Sequence, residues 1–183
     1  MAEGFEKFIK FGDEEEVRQI LGNKPDRSDM QPDANEDFVL EEDLETPDIR
    51  PVRSESGKPT VVVIDDDYQT LDIMKIYLAR DYECAVFSDP KEAIFYMNTH
   101  LPDIIFMDSY MTVMSAKKMI SIIRLYKEMK NVPIYFMVYE EERDVFEHRK
   151  DTEVEGLITR PIARGELQKI LDKEKLREYL TKD

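Results

Sequence analysis

Three consecutive carboxylates, Asp65, Asp66 and Asp67, follow an unbroken β-branched run, Thr60–Ile64. A fourth, Asp108, follows a second largely apolar run, Asp103–Met107. Carboxylates brought together repel one another and call for a cation. A hard divalent ion with oxygen ligands, Mg²⁺ above all, suits them best. An ion held there would offset charge on an attacking carboxylate and on a phosphoryl group in transfer. One of the acids could then act as a nucleophile and form an acyl phosphate. A single acid after a strand is more often a turn former or a helix N-cap. Acids closing two strands on one edge of a sheet point instead to a site.

These acids meet only if the runs before them are neighbouring strands of one sheet. The spacing of apolar residues predicts that sheet. Thr60–Ile64, Glu83–Phe87, Asp103–Met107, Pro133–Val138 and Glu155–Thr159 read as strands. Helical stripes lie between them: Leu71, Met74 and Leu78 in Tyr68–Arg80, and Ala93, Ile94 and Met97 after Pro90, with Ser88 or Asp89 as cap. Met119, Ile122, Ile123 and Tyr126 mark a helix over Ser115–Lys130. Glu140–Lys150 is a polar, helix-like stretch, and Arg164–Thr181 closes the pattern. Five alternations of strand and helix call for a parallel sheet with helices on both faces and right-handed crossovers. Ligands bind such a sheet beyond the carboxyl ends of its strands, near the reversal of strand order. That is the edge on which Asp65, Asp66 and Asp108 fall.

The segments VVVIDDD, PDIIFMDSYM, VPIYFMV and GLITRPI, in that order and at these spacings, resemble the receiver domain of bacterial response regulators over about residues 60–175. The resemblance implies a doubly wound, flavodoxin-like or CheY-like α/β fold: a five-stranded parallel sheet of order 2-1-3-4-5. It makes Asp108 the phosphoacceptor and Asp65 and Asp66 the paired acids that hold Mg²⁺. The backbone carbonyl of Tyr110 becomes the third protein ligand. It also implies a phosphohistidine donor on a histidine kinase or phosphotransfer protein.

Six positions depart from the family pattern. Val138, thirty residues past Asp108, stands where the family has Ser or Thr. It keeps the shape but offers no hydroxyl to a phosphoryl oxygen. Arg160, before Pro161, replaces the family lysine; it keeps the charge, but its planar fork is longer and aimed differently. Leu157 replaces the switch aromatic, and Thr112, Ser115 and Ala116 replace the usual proline and aspartate-glycine turn. The acids needed for phosphoryl acceptance are intact, whereas the groups that read out the phosphorylated state have changed. Tyr139 and Tyr110 are candidate substitute hydroxyls. A phosphorylation-independent pseudo-receiver serving as an adaptor is the alternative.

Composition narrows the function further. The formal net charge is −15 and the pI is about 4.6, which disfavours contact with nucleic acid or anionic membranes. No apolar run of membrane-spanning length and no secretory leader is present, so a cytoplasmic protein is expected. Residues 1–58 carry 17 acids and 8 bases, and Gln31–Asp48 carries eight acids and no base. The chain therefore divides into a short helical segment at 1–30, an acidic, proline-containing linker at 31–59, and the receiver-like domain at 60–183. In the first, Phe5, Phe8 and Ile9 suggest one helix, and Val17, Ile20 and Leu21, capped by Asp13 and ended by Gly22, a second. Phe38, Val39 and Leu40 within the acidic arm are candidate anchors on a partner or on this domain's own surface.

Other signals are weaker. Asp65 and Asp67 fit the D-x-D of haloacid-dehalogenase-like phosphatases, but the later segment TEVEGLITRPIARGEL lacks the further acidic pair that chemistry needs. Gly57-Lys58 lacks the spaced glycines of a phosphate loop. His100 and His148 are isolated, and Cys84, the only cysteine, reads as a buried inert thiol. Glu140–Asp151 reads as a solvated helix face; the resemblance adds that receivers often dimerise or dock partners through this region. The whole is expected to be a stand-alone phosphoacceptor rather than an enzyme. No DNA-binding output domain is expected after it, so a downstream protein partner, which the sequence does not name, is implied.

Overall fold

Thr60–Ile64 forms the first strand because its β-branched side chains fill both faces of a pleat, and all five residues are buried. The computed structural model describes residues 51–147 and 153–180, with side chains to residue 175. The expected helices at the N-terminus, the acidic arm and His148 lie outside the described residues.

The strands are β1 (Thr60–Ile64), β2 (Glu83–Phe87), β3 (Ile104–Asp108), β4 (Ile134–Tyr139) and β5 (Gly156–Arg160). The helices are α1 (Tyr68–Leu78), α2 (Pro90–Met97), α3 (Ala116–Leu125), α4 (Glu140–Glu147) and α5 (Arg164–Leu180). All strand pairs are parallel, in the order β2-β1-β3-β4-β5. The order reverses between β1 and β3, so the crevice where ligands bind such sheets lies between their carboxyl ends.

Alternation along the strands divides the core. Val62, Ile64, Ile105, Met107, Ile134, Phe136 and Val138 pack with Ala93 and Met97 of α2, Met119 and Ile123 of α3 and Phe146 of α4. Val61, Val63, Ile104, Phe106, Tyr135, Met137 and Ile158 pack with Leu71, Met74 and Leu78 of α1 and Leu167 and Leu171 of α5. Two helices therefore cover one face of the sheet and three the other.

Local caps fix where the helices begin. Asp67 caps α1, its side chain accepting from the Gln69 N–H, and Asp89 caps α2 ahead of Pro90. Ser115 caps α3. That helix stops at Leu125 rather than running to Lys130, and a 3₁₀ turn, Lys127–Met129, follows. Tyr126 is extended between them, and its hydroxyl donates to Asn98 Oδ1 at 2.6 Å. That tertiary contact outweighs the helical pattern.

Residues 51–59 lie against the amino ends of the strands. Val52 forms a parallel bridge with His100, donating to the Thr99 carbonyl at 3.1 Å and accepting from the Leu101 N–H at 2.9 Å. Arg53 pairs with Asp103, and Ser54 and Ser56 both donate to Glu83 Oε2.

Candidate functional site

β1 and β3 are neighbours with Ile64 opposite Met107, so the residues that follow them emerge side by side. Asp65 and Asp108 are fully buried there, and Asp66 is exposed at the rim. One carboxylate oxygen from each lies within 4.8 Å of the others. Backbone N–H groups hold the two buried acids: Asp67 N–H donates to Asp65 Oδ1 at 2.9 Å, and Tyr110 N–H to Asp108 Oδ1 at 3.2 Å. Thr112 Oγ1 reaches Asp66 Oδ2 at 3.5 Å.

Arg160, the last residue of β5, sends its guanidinium into this cluster. The residue is 6% exposed. Nη2 pairs with Asp65 Oδ2 and lies 3.3 Å from Asp108 Oδ1. Nη1 donates to Thr70 Oγ1 at 2.8 Å. The Tyr139 ring stands 5.5 Å from the guanidinium carbon. The Arg160–Pro161 peptide bond is cis. One cation thus bridges two buried anions whose charges would otherwise be uncompensated. Burial pushes the Asp65 carboxyl up to about 7, against the pull of Arg160, and Asp108 adds to the rise.

The donor set suits a hard cation. Mg²⁺ holds oxygen ligands at about 2.1 Å, so opposite corners of its octahedron lie about 4.2 Å apart. Carboxylate oxygens within 4.8 Å of one another need little adjustment to meet that spacing. Asp65, Asp66 and Asp108 are the side chains that could hold the ion. The Tyr110 peptide lies beside Asp108 through the N–H contact already described.

The remaining candidates are arranged as follows. Val138 is fully buried in the apolar core and pairs with Thr159 across β4 and β5. Leu157 packs, partly buried, against the same core. The Tyr110 ring meets Phe146 edge-on, with centroids 5.6 Å apart. Tyr139 donates its N–H to Glu142 Oε2 at 2.9 Å. Asp67, which a phosphatase would use as acid and base, spends both oxygens locally: Oδ1 accepts from Gln69 N–H at 3.0 Å and Oδ2 from the Thr70 hydroxyl at 2.9 Å. Cys84 is partly buried, and desolvation raises its thiol to about 12.

Thr70 is a site residue that the sequence reading did not single out. It is a buried hydroxyl on the first turn of α1, next to Leu71 of the core stripe. A threonine there resembles any other half of a buried pair until its partner is known. No helix among the described residues is long and apolar enough to cross a membrane.

Comparison with solved structures gives the same fold. The chemotaxis protein CheY4 of Vibrio cholerae matches at 22% identity with a TM-score of 0.58, over 63% of this chain and 98% of that one. The receiver domain of a Pseudomonas aeruginosa sensor histidine kinase, whose structure has a magnesium ion coordinated in its active-site cleft, matches at 20% identity and TM-score 0.57, over 63% and 96%. A Francisella response-regulator receiver domain matches at 25% identity and TM-score 0.56, over 66% and 99%. The model of the response regulator receiver domain matches residues 61–172. With that span and the acidic pocket at the strand ends, the chain belongs to the response-regulator receiver family of two-component signalling.

Proposed function

We infer that this receiver accepts a phosphoryl group on Asp108. The observation that carries the reading is the convergence of Asp65, Asp66 and Asp108 at the switch point of the sheet, with Arg160 bridging the two buried members. In the step, an Asp108 carboxylate oxygen attacks phosphorus. The P–N bond of a phosphohistidine breaks, the electron pair leaves with the imidazole nitrogen, and an acyl phosphate forms. The donor is a histidine kinase or phosphotransfer protein.

Asp65, Asp66, Asp108 and the Tyr110 carbonyl are the residues that would hold Mg²⁺. Bound there, the ion offsets negative charge that builds up between carboxylate and phosphoryl oxygens. Arg160 adds a second positive group within reach of Asp108 and can pair with the phosphoryl oxygens. Output then runs through contact with another protein. A homodimer or partner contact at α4 is part of this reading.

A second reading, the phosphorylation-independent adaptor, draws on one feature. Val138 brings no hydroxyl to the pocket, and Arg160 already neutralises part of the acid cluster. One experiment separates the two. The protein is incubated with a small phosphodonor and Mg²⁺, beside Asp108→Asn. The phosphoacceptor reading expects the mass gain of one phosphoryl group in the parent and none in the variant. No gain in the parent removes that reading and leaves the adaptor.

A further inference from the structure

We propose that Thr70 is a positioning residue: it holds the Arg160 guanidinium in the orientation that lets one nitrogen serve both buried acids, and so keeps carboxylate oxygens available to Mg²⁺. The consequence for the ion rests on the phosphoacceptor reading; the positioning itself rests on geometry alone.

The Thr70 side chain is 4% exposed and sits between two fixed groups. It donates to Asp67 Oδ2 at 2.9 Å and accepts from Arg160 Nη1 at 2.8 Å. A hydroxyl has one proton to give. With that proton committed to Asp67, a lone pair must face the guanidinium. Asp67 is itself anchored, accepting from Gln69 N–H and donating its own N–H to Asp65 Oδ1. Asp67, Thr70, Arg160 and Asp65 therefore close a ring of hydrogen bonds, and its guanidinium also faces Asp108.

The orientation of an arginine here is not set by its charge. Its stem is long, and its fork can present either two nitrogens or one to a carboxylate. Two parallel N–H bonds to one carboxylate are the stronger arrangement. Left alone, Arg160 would turn both nitrogens onto Asp65 or Asp108 and occupy the oxygens an ion needs. Thr70 captures Nη1 on the α1 side, and Nη2 faces both acids. The Tyr139 ring, 5.5 Å away, further limits the guanidinium.

The test compares Thr70→Val, which keeps the branched shape and loses the hydroxyl, with Thr70→Ser, which keeps the hydroxyl. The first readout is the guanidinium ¹⁵N–¹H signals of Arg160 in the full-length protein, assigned with Arg160→Lys. Nη1 and Nη2 signals that differ, as a hydroxyl partner and a carboxylate partner require, are expected in the parent and Thr70→Ser, and signals drawn together, as two nitrogens on one carboxylate require, in Thr70→Val. Unchanged signals in Thr70→Val overturn the positioning role. The second readout is Mg²⁺ affinity by titration calorimetry. Thr70→Val is expected to weaken it by about tenfold, the scale of one hydrogen bond to a charged group, and Thr70→Ser to restore it. In the Arg160→Lys background the Thr70→Val effect should vanish; an effect of the same size there, or no effect in the parent background, overturns the link to the ion. Failure of Asp108 to accept a phosphoryl group would remove the proposed function without altering the guanidinium signals.

Discussion

At the carboxyl ends of the strands, Asp65, Asp108 and Arg160 bring three charges into a site almost closed to water. At the amino ends, Arg53 pairs with Asp103 while its own side chain is 58% exposed, and Glu83 takes hydrogen bonds from Ser54 and Ser56 at the surface. The residue types are alike, but the solvent is not. A buried ion pair is weak evidence for stability, yet removing one partner leaves a bare charge in a poor medium. An exposed pair loses little, because water replaces the partner. The pocket is thus held under electrostatic constraint. The opposite pole relies on packing and backbone bonds.

The sharpest way to break this contrast is to remove one arginine from each pole. Arg160→Ala leaves Asp65 and Asp108 facing each other and is expected to cost about 3–5 kcal/mol of folding stability near neutral pH. Proton uptake by Asp65, already raised to about 7, softens the loss. Added Mg²⁺ should recover part of it, since an ion bound by the acids stabilises the folded state by mass action. Arg53→Ala is expected to cost no more than about 1 kcal/mol. Urea unfolding of both variants, with and without Mg²⁺, checks the pair. Equal losses would mean that burial does not distinguish the poles.

The next effect tests packing at the amino ends. Gly156 opens β5 opposite Tyr135 on β4. A Cβ there would lie 2.9 Å from Tyr135 Cε1 and 3.3 Å from Cδ1. The Tyr135 ring has little room to give: it is buried, tilted against Phe106 with centroids 5.7 Å apart, and its hydroxyl donates to Glu174 Oε1 at 2.6 Å. Gly156→Ala should therefore cost about 1–3 kcal/mol through overpacking. Denaturant midpoints measure it; on the phosphoacceptor reading, the Asp108 phosphorylation rate of the folded variant should not change.

The acids of the pocket were legible because each directly follows a β-branched or apolar run, and strand ends in such sheets share an edge. Arg160 was legible by its place before Pro161, but not its reach. Only the assembled sheet shows the guanidinium bridging Asp65 and Asp108, because the residues are far apart in sequence and side-chain direction has no periodic signature. Thr70 went unread for a related reason: it lies on α1, and its partner Arg160 comes from β5, 90 residues away in the chain. The end of α3 was misjudged because the helical stripe through Tyr126 is real, and only the hydroxyl bond to Asn98 turns that residue out of the helix. Residues 51–59 offered prolines, serines and a glycine, which read as irregular chain. Their contacts with Thr99, Asp103 and Glu83 are backbone and short polar pairings that leave no hydrophobic pattern.

The smallest expected effect concerns those same residues and sharpens the contrast from the solvent-exposed side. Hydrogen bonds from Ser54 and then Ser56 hold the Glu83 carboxyl below its ordinary value of 4.5. An acid whose folded value is depressed binds its proton more weakly when folded than when unfolded. Its contribution is therefore present above the unfolded value and fades as pH falls through the folded one. Replacing both serines with alanine should remove that contribution, so the variant and parent differ at neutral pH and converge in acid. Because Glu83 lies near water, the difference should stay at or below about 1 kcal/mol after solvent screening. Thermal unfolding of the two proteins from neutral pH into the acid range reads it. A gap that widens as pH falls would reverse the sign and show that Ser54 and Ser56 favour the protonated carboxyl. The amino-end segment would then be held by something other than charge-assisted bonds to Glu83.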